Sequence, residues 1–463
     1  MTSNHILMSG APEGFDATIV NKEAQQGGVI HVARDAHRLQ AMRAALDFFA
    51  PELPVFHFPA WDCLPFDRVS PNADISAQRM SSLASFVAQM PKSYVVLTTL
   101  SAASQRVPAR ATVEAAVFRA SVHSRVDEQA LRAFLVRMGF VQTPTVMEPG
   151  DYSIRGGIID IYPPGLSEPI RLDFFGDTLD GIRQFDPATQ RTVKSLETVD
   201  LSPVSEVILD EASIRRFRQN YRIEFGAAGT DDPLYEAISA GRKHQGVEHW
   251  LPFFHDQMDT LFDYLPDATV ILDDQSTPAR LARWDTIADQ YDARKTAFTQ
   301  KGRLDTVYKP APPELLYLND AAWQDALAEH RQVALSVLPQ PTGLNALDAG
   351  ARLGRNFAPE RQNEALSLFG AVSDHIKKMG ATKPVVITSY SSGARERLSG
   401  LLQDEGHGEL REIRNVKDLR GAGTYLAVSQ LEHGFETEDL IVITEQDILG
   451  DRLVRSTKKR KRA

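Results

Sequence analysis

The sequence predicts an α/β multidomain protein: a larger α/β domain interrupted by a small α+β unit, followed by a separate small α/β domain. Three observations predict it. Strand and helix patterns alternate through the first hundred residues, short strands broken by glycine and proline turns begin near Ala115, and strand–helix alternation then resumes twice. At 463 residues the chain has room for about three domains of ordinary size.

Taken in order, Val29–Ala33 reads as a short apolar strand, Asp35–Phe49 as a helix, Val55–Phe58 as a strand ending at Pro59, Ile75–Met90 as a helix and Tyr94–Thr98 as a central strand. A helix over Asp127–Met138 stops at Gly139. Strands at Ile158–Tyr162, Ile170–Phe174 and Leu179–Phe185 then follow with turns between them, as a small antiparallel unit requires. Helices near Ile214–Phe225 and Pro233–Ser239, the strand Thr269–Leu272 and the helix Pro278–Phe298 restore the α/β texture. The last segment places Leu366, Phe369, Val372, Ile376 and Met379 on one face of a helix over Gln362–Met379. Strands at Val385–Thr388, Tyr425–Val428 and Leu440–Thr444 complete a domain expected to have a parallel sheet. The resulting division is 1–114 and 204–335 for the two parts of the larger domain, 115–203 for the insertion, 336–360 for a linker, 361–452 for the last domain and 453–463 for a basic tail or linker.

Hydrophobic content of 43% and charged content of 24% describe a soluble globular protein. A net charge of -10 opposes nucleic acid unless cations gather locally, and the one dense basic run is Lys458–Arg462. No apolar run reaches the roughly 20 residues of a membrane span. Glu13 and Asp16 stand where a signal peptide carries positive charge, so a cytoplasmic protein is expected. Cys63 is the single cysteine, which excludes a disulfide within the chain and a cysteine-cluster metal site. His244, His249 and His255 lack ligand spacing, so no metal and no cofactor are expected.

The opening LMSGAPEGFDATI lies where an α/β domain would carry a phosphate loop. With Gly10 as the first glycine of G-x-x-x-x-G-K-[ST], Phe15 stands on the second glycine, Asp16 on the lysine and Ala17 on the hydroxyl residue. An aspartate repels a triphosphate and an alanine cannot hold magnesium, so the loop is expected to be degenerate. A plain surface loop predicts the same inactivity. Asp273 and Asp274 follow the strand VIL as an ATPase acidic pair would, and without the lysine they read equally as a strand-end turn. No catalytic residues are expected.

Residues Arg155–Asp186 are the most informative. Alternation along IRLDFF turns Ile170, Leu172 and Phe174 to a core and Arg171, Asp173 and Phe175 outward. An exposed phenylalanine beside an arginine has the composition of a protein-binding hot spot; packing of Phe175 under a loop or neighbouring domain is the alternative.

Several ordered motifs, RGGIIDIYPPG, IRLDFFGDTLDGIRQFD, WDCLPFD, LPFFHDQMDTLFDYLPDATVILDD and EHGFETEDLIVITEQDILGDR, resemble the N-terminal region of bacterial transcription-repair coupling factor, Mfd, whose first domains are similar to the excision-repair helicase UvrB. The resemblance implies a degenerate UvrB-like domain, an inserted UvrA-binding domain and a non-catalytic module that recruits UvrA in transcription-coupled nucleotide excision repair. It carries the UvrA-contacting residues onto Arg155, Arg171 and Phe175. It further implies an autoinhibitory contact with C-terminal domains of the full-length protein, and contacts to RNA polymerase and DNA through parts beyond this chain, which reads as an N-terminal fragment. The damage-probing hairpin of UvrB has only Asn72, Ala73 and Asp74 available to it here. A DNA-binding or ATP-dependent helicase-like repair subunit is the alternative function.

Overall fold

The structure is a computed structural model describing residues 5–450, apart from 227–231, 301–307, 342, 344 and 364 and the side chains of 299 and 300. The basic tail, 453–463, lies outside the described residues.

A seven-stranded sheet organises the first domain, in the order Ala346–Asp348, His5–Ser9, Gln332–Ser336, Thr269–Leu272, Gly28–Ala33, Tyr94–Thr99, Val55–Phe58. Every pairing in it is parallel. Thr269–Leu272 sits between Gly28–Ala33 and Gln332–Ser336, so segments on both sides of the insertion build one sheet. Helices cover both faces, which is why the central strands read as unbroken apolar runs. Asp35 starts the helix Ala36–Phe49 by accepting the Arg38 N–H, and Asn72 caps the helix Ala73–Val87 by accepting the Asp74 N–H.

The insertion is a six-stranded sheet, in the order Thr192–Leu196, Thr178–Phe185, Ile170–Phe175, Ile158–Ile161, Asp151–Arg155, Val141–Gln142. It is antiparallel except for the last pair. Helix Glu128–Arg137 packs Leu131, Phe134 and Leu135 on one face, against Ile159, Ile161, Ile170, Leu172 and Ile182. A short ladder between Phe118–Ser121 and Thr198–Leu201 brings the two ends of the insertion together. A helical layer then packs Phe217 and Tyr221 of helix Glu211–Phe225 against Trp250, Phe253 and Phe254.

In the last domain four strands are parallel, but Phe435–Thr437 runs antiparallel to both Ile441–Thr444 and Ala351–Leu353, which corrects the expected parallel sheet. The cause is a tight turn, closed by Thr437 N–H to Leu440 O at 2.8 Å, which is too short for a crossover. The helix begins at Leu368, capped by Ser367, so Leu366 stands outside it and exposed. The segment 336–360, expected as a linker, supplies Ala346–Asp348 to the first sheet and Ala351–Leu353 to the last. The two domains share a core in which the Phe435 ring lies 5.5 Å from Phe15 and 5.7 Å from Phe49.

Candidate partner-binding site

One face of the inserted sheet lies under helix Glu128–Arg137, and the other presents the charged residues. Strand Ile170–Phe175 buries Ile170 and Leu172 completely and leaves Phe175 84% exposed, the most exposed large apolar side chain among the described residues. Phe174 faces the core as expected and packs against it while only partly buried; beside it a bulge at Asp180 on the partner strand interrupts the pairing.

Two turns meet at the same end of this sheet. Gly156 and Gly157 link Arg155 to Ile158, Gly176 and Asp177 link Phe175 to Thr178, and the Phe174 N–H donates to Gly157 O at 2.8 Å between them. A Cβ on Gly157 would come within 2.9 Å of Phe174 O, so only glycine lets the turns approach this closely. This arrangement gathers the exposed Arg155, the half-exposed Ile158 and Phe175 at one rim. The Arg155 guanidinium donates to Pro144 O and, at 3.4 Å, to Thr145 Oγ1, which ties it to the neighbouring loop.

Arg171 does not stand free, as the outward reading of its strand implied. Its Nε and Nη2 donate to both carboxylate oxygens of Asp160 at 2.7 and 2.8 Å, Nη2 also reaches Gln190, and the guanidinium lies 4.6 Å from the Phe185 ring. The hydrogen bonds to Asp160 raise its pKa, with burial opposing them. Beside it Asp173 accepts two hydrogen bonds from Arg183. The two pairs are cross-strand neighbours, Arg171 opposite Asp160 and Asp173 two residues along the same strand; sequence reading missed Asp160 and Arg183 because register decides their pairing.

The second predicted site, the loop after His5–Ser9, has a different character. Asp16 is 2% exposed; its carboxylate accepts the Gly14 N–H at 2.9 Å and Arg38 Nη2 at 2.5 Å. Arg38, from the neighbouring helix, also donates to Asp273 at 3.2 Å and lies 3.3 Å from Glu13, while Arg34 bridges Glu13 and Asp273. Burial lifts the Asp16 pKa to about 6, against the pull of Arg38. Burial would lower the Arg38 pKa, but Asp16, Asp273 and Glu13 outweigh it and raise it. Asp274 is half-buried, shifted upward chiefly by burial, and donates its N–H to Asp273.

The loop mouth is covered as well. Gly10 has φ +65, and a Cβ there would meet Ala351 O at 3.0 Å; Gly14 faces Leu431 and Phe435 of the last domain. Phe15 packs on Phe435, and Ala17 is fully buried. The sequence reading found Gly10, Phe15, Asp16, Ala17, Asp273 and Asp274 of this site and missed the roles of Glu13, Arg34 and Arg38. Among the described residues no group of three or more His, Cys, Asp or Glu could hold a metal ion, and no helix is long and apolar enough to cross a membrane.

Two families match parts of the chain: the UvrB interaction domain over residues 118–207, the inserted sheet and its helix, and the MFD D3 domain over residues 379–448. The chain therefore carries a UvrB-type interaction domain followed by a D3-type α/β domain. Along nearly its whole length it is similar to transcription-repair-coupling factors. It is 30% identical over 450 residues to that of Escherichia coli, covering 95% of this chain and 37% of the relative, and 29% identical over 470 residues to that of Haemophilus influenzae, covering 99% and 39%. The factor of Bacillus subtilis is 21% identical over 487 residues, covering 98% and 39%. The chain matches the N-terminal region of transcription-repair coupling factor, as its motifs implied, and spans less than two fifths of the length of these relatives.

Proposed function

We propose that this chain is a non-catalytic recruitment module that binds the excision-repair protein UvrA during transcription-coupled nucleotide excision repair. The observation that carries the reading is Phe175, a phenylalanine 84% exposed at the same end of the sheet as Arg155, within the segment matching the UvrB interaction domain. Leaving such a ring in water is unfavourable, and burial under a partner with an adjacent guanidinium to pair carboxylates is the chemistry of an interface anchor. Arg171 contributes as a cation held in place by Asp160.

The same reading makes residues 115–203 the recruiting domain, inserted into a UvrB-like domain whose nucleotide loop is degenerate. Support for the degeneracy comes from Asp16: an internal carboxylate takes the Gly14 N–H that a phosphate would take, and Arg38 neutralises it. No ATP turnover by this chain is expected. In the full-length protein, C-terminal domains would mask the Phe175 face, and contact with RNA polymerase and the main grip on DNA would be supplied by other parts.

The test is calorimetric titration of UvrA into wild type, Phe175→Ala and Arg155→Glu. Micromolar or tighter binding that Phe175→Ala weakens by about tenfold or more supports the reading; absence of binding by folded wild type overturns it. Arg171→Lys is the better third variant, because Arg171→Glu would place a second carboxylate against Asp160.

A further inference from the structure

We propose that helix Glu211–Phe225, together with the turn at Arg242–Lys243, forms a contact site for the phosphate backbone of duplex DNA. This does not depend on UvrA binding and uses none of the same residues. Across the molecule, arginines commonly hold a carboxylate, as Arg79 holds Glu206, Arg280 Asp320 and Arg331 Glu23. Arg215, Arg218, Arg222, Arg242 and Lys243 are all exposed and, among the described residues, none of them is in an ion pair.

These cations are gathered by the fold. Arg215, Arg218 and Arg222 are three and four residues apart on one helix, which puts them along one stripe spanning about 10 Å of axis. Arg218 donates to the Tyr235 hydroxyl at 3.4 Å and the Arg222 guanidinium lies 5.5 Å from the Tyr235 ring, which orients both beside the next helix. Gly241 lies against Ile214, bringing the Arg242–Lys243 turn alongside the first turns of the stripe, and the Lys243 ammonium reaches the end of the inserted domain's helix at Gly139, next to exposed Arg137. The nearby carboxylates are exposed Glu211 and Glu224 on the helix itself, exposed Glu236 on the neighbouring helix and half-buried Glu248, whose charge interacts with Lys243; among the described residues none of them forms a salt bridge with these cations.

A chain with a net charge of -10 that concentrates unpaired cations on one face is suited to a polyanion. Nucleic acid fits better than an acidic protein because the stripe has no apolar anchor: Ile223, 74% exposed, projects about 100° round the helix from Arg222. Phosphate contacts by such a stripe carry no sequence information, so binding is expected to be non-specific, with a dissociation constant on the order of 10⁻⁴–10⁻⁶ M at physiological salt.

The experiment is fluorescence anisotropy with a short duplex of arbitrary sequence, at roughly 50 and 200 mM salt. It uses the full chain with Lys458, Lys459, Arg460, Lys461 and Arg462 replaced by alanine, so that the basic tail supplies no binding. Expected is salt-dependent binding that Arg215→Glu, Arg218→Glu and Arg222→Glu together weaken by about tenfold or more, with the logarithmic salt slope reduced by about 3. The corresponding triple lysine variant should retain it, as should Phe175→Ala and the distant Lys377→Glu, Lys378→Glu pair. If the helix variant does not fold, Arg242→Glu with Lys243→Glu on the adjoining turn reads the same surface. No binding at low salt, equal binding after charge reversal, or equal loss in the lysine variant overturns the proposal.

Discussion

The loop around Asp16 and the rim around Phe175 are both rich in functional residue types, and the fold treats them in opposite ways. At the loop, Glu13, Asp16 and Asp273 are answered by Arg34 and Arg38, and the last domain closes the mouth with Phe435. At the rim, Asp160 and Arg183 satisfy the flanking charges while Phe175, among the described residues, stays exposed. A constellation whose members satisfy one another has little left to offer a ligand; one whose charges are fixed but whose apolar residue is exposed is ready for a partner.

The largest effect that would sharpen this contrast is Arg38→Ala, which leaves Asp16 and Asp273 without the guanidinium they share. A loss of about 3–5 kcal/mol in urea unfolding is expected; a loss below about 1 kcal/mol would break the comparison. Next is Phe175→Ala, expected to weaken UvrA binding by about tenfold or more while changing stability by less than about 0.5 kcal/mol. A large stability loss would mean that the ring has an internal role.

Of similar size is a pH effect. Burial holds His31, His249 and His255 at about 4, below the ordinary 6.5, so on acidification the unfolded chain takes up protons that the folded chain does not, and stability falls through the window from about 6.5 to 4. Asp16, raised to about 6, works the other way: its contribution is present below its unfolded value of 3.8 and lost as pH rises through 6. The histidines outweigh it near neutrality, so unfolding free energy should drop by about 1.5–2 kcal/mol between pH 7 and 6. Unchanged stability would show that the histidines are hydrated. Smallest is Asp160→Asn, which removes the charge opposite the partly exposed Arg171 and should cost about 1 kcal/mol or less in stability. UvrA binding should weaken with it if Arg171 must be held in place.

Much of this was legible in the sequence where a signal is local. The strands Val55–Phe58 and Thr269–Leu272 and the helix Pro233–Ser239 have the boundaries their patterns imply, and alternation alone turned Phe175 outward. What was not legible depends on distant partners. Arg38 meets Asp273 across 235 positions, and Asp160 meets Arg171 only once the strand register is set. Three-residue strands such as Ala346–Asp348 and Ala351–Leu353 are too short for alternation to register, so a proline-bearing segment reads as a linker.

Those two strands have a mechanical consequence. Only Ala349 and Gly350 separate an edge strand of the first sheet from an edge strand of the last, and Arg352 clamps back onto Asp348 at 2.7 Å. Two residues fully extended span about 7 Å. A pull on the last domain would therefore meet almost no slack before it loaded the hydrogen bonds to His5–Ser9, making the connection a stiff coupling through which force passes, where a linker would act as a tether that absorbs it.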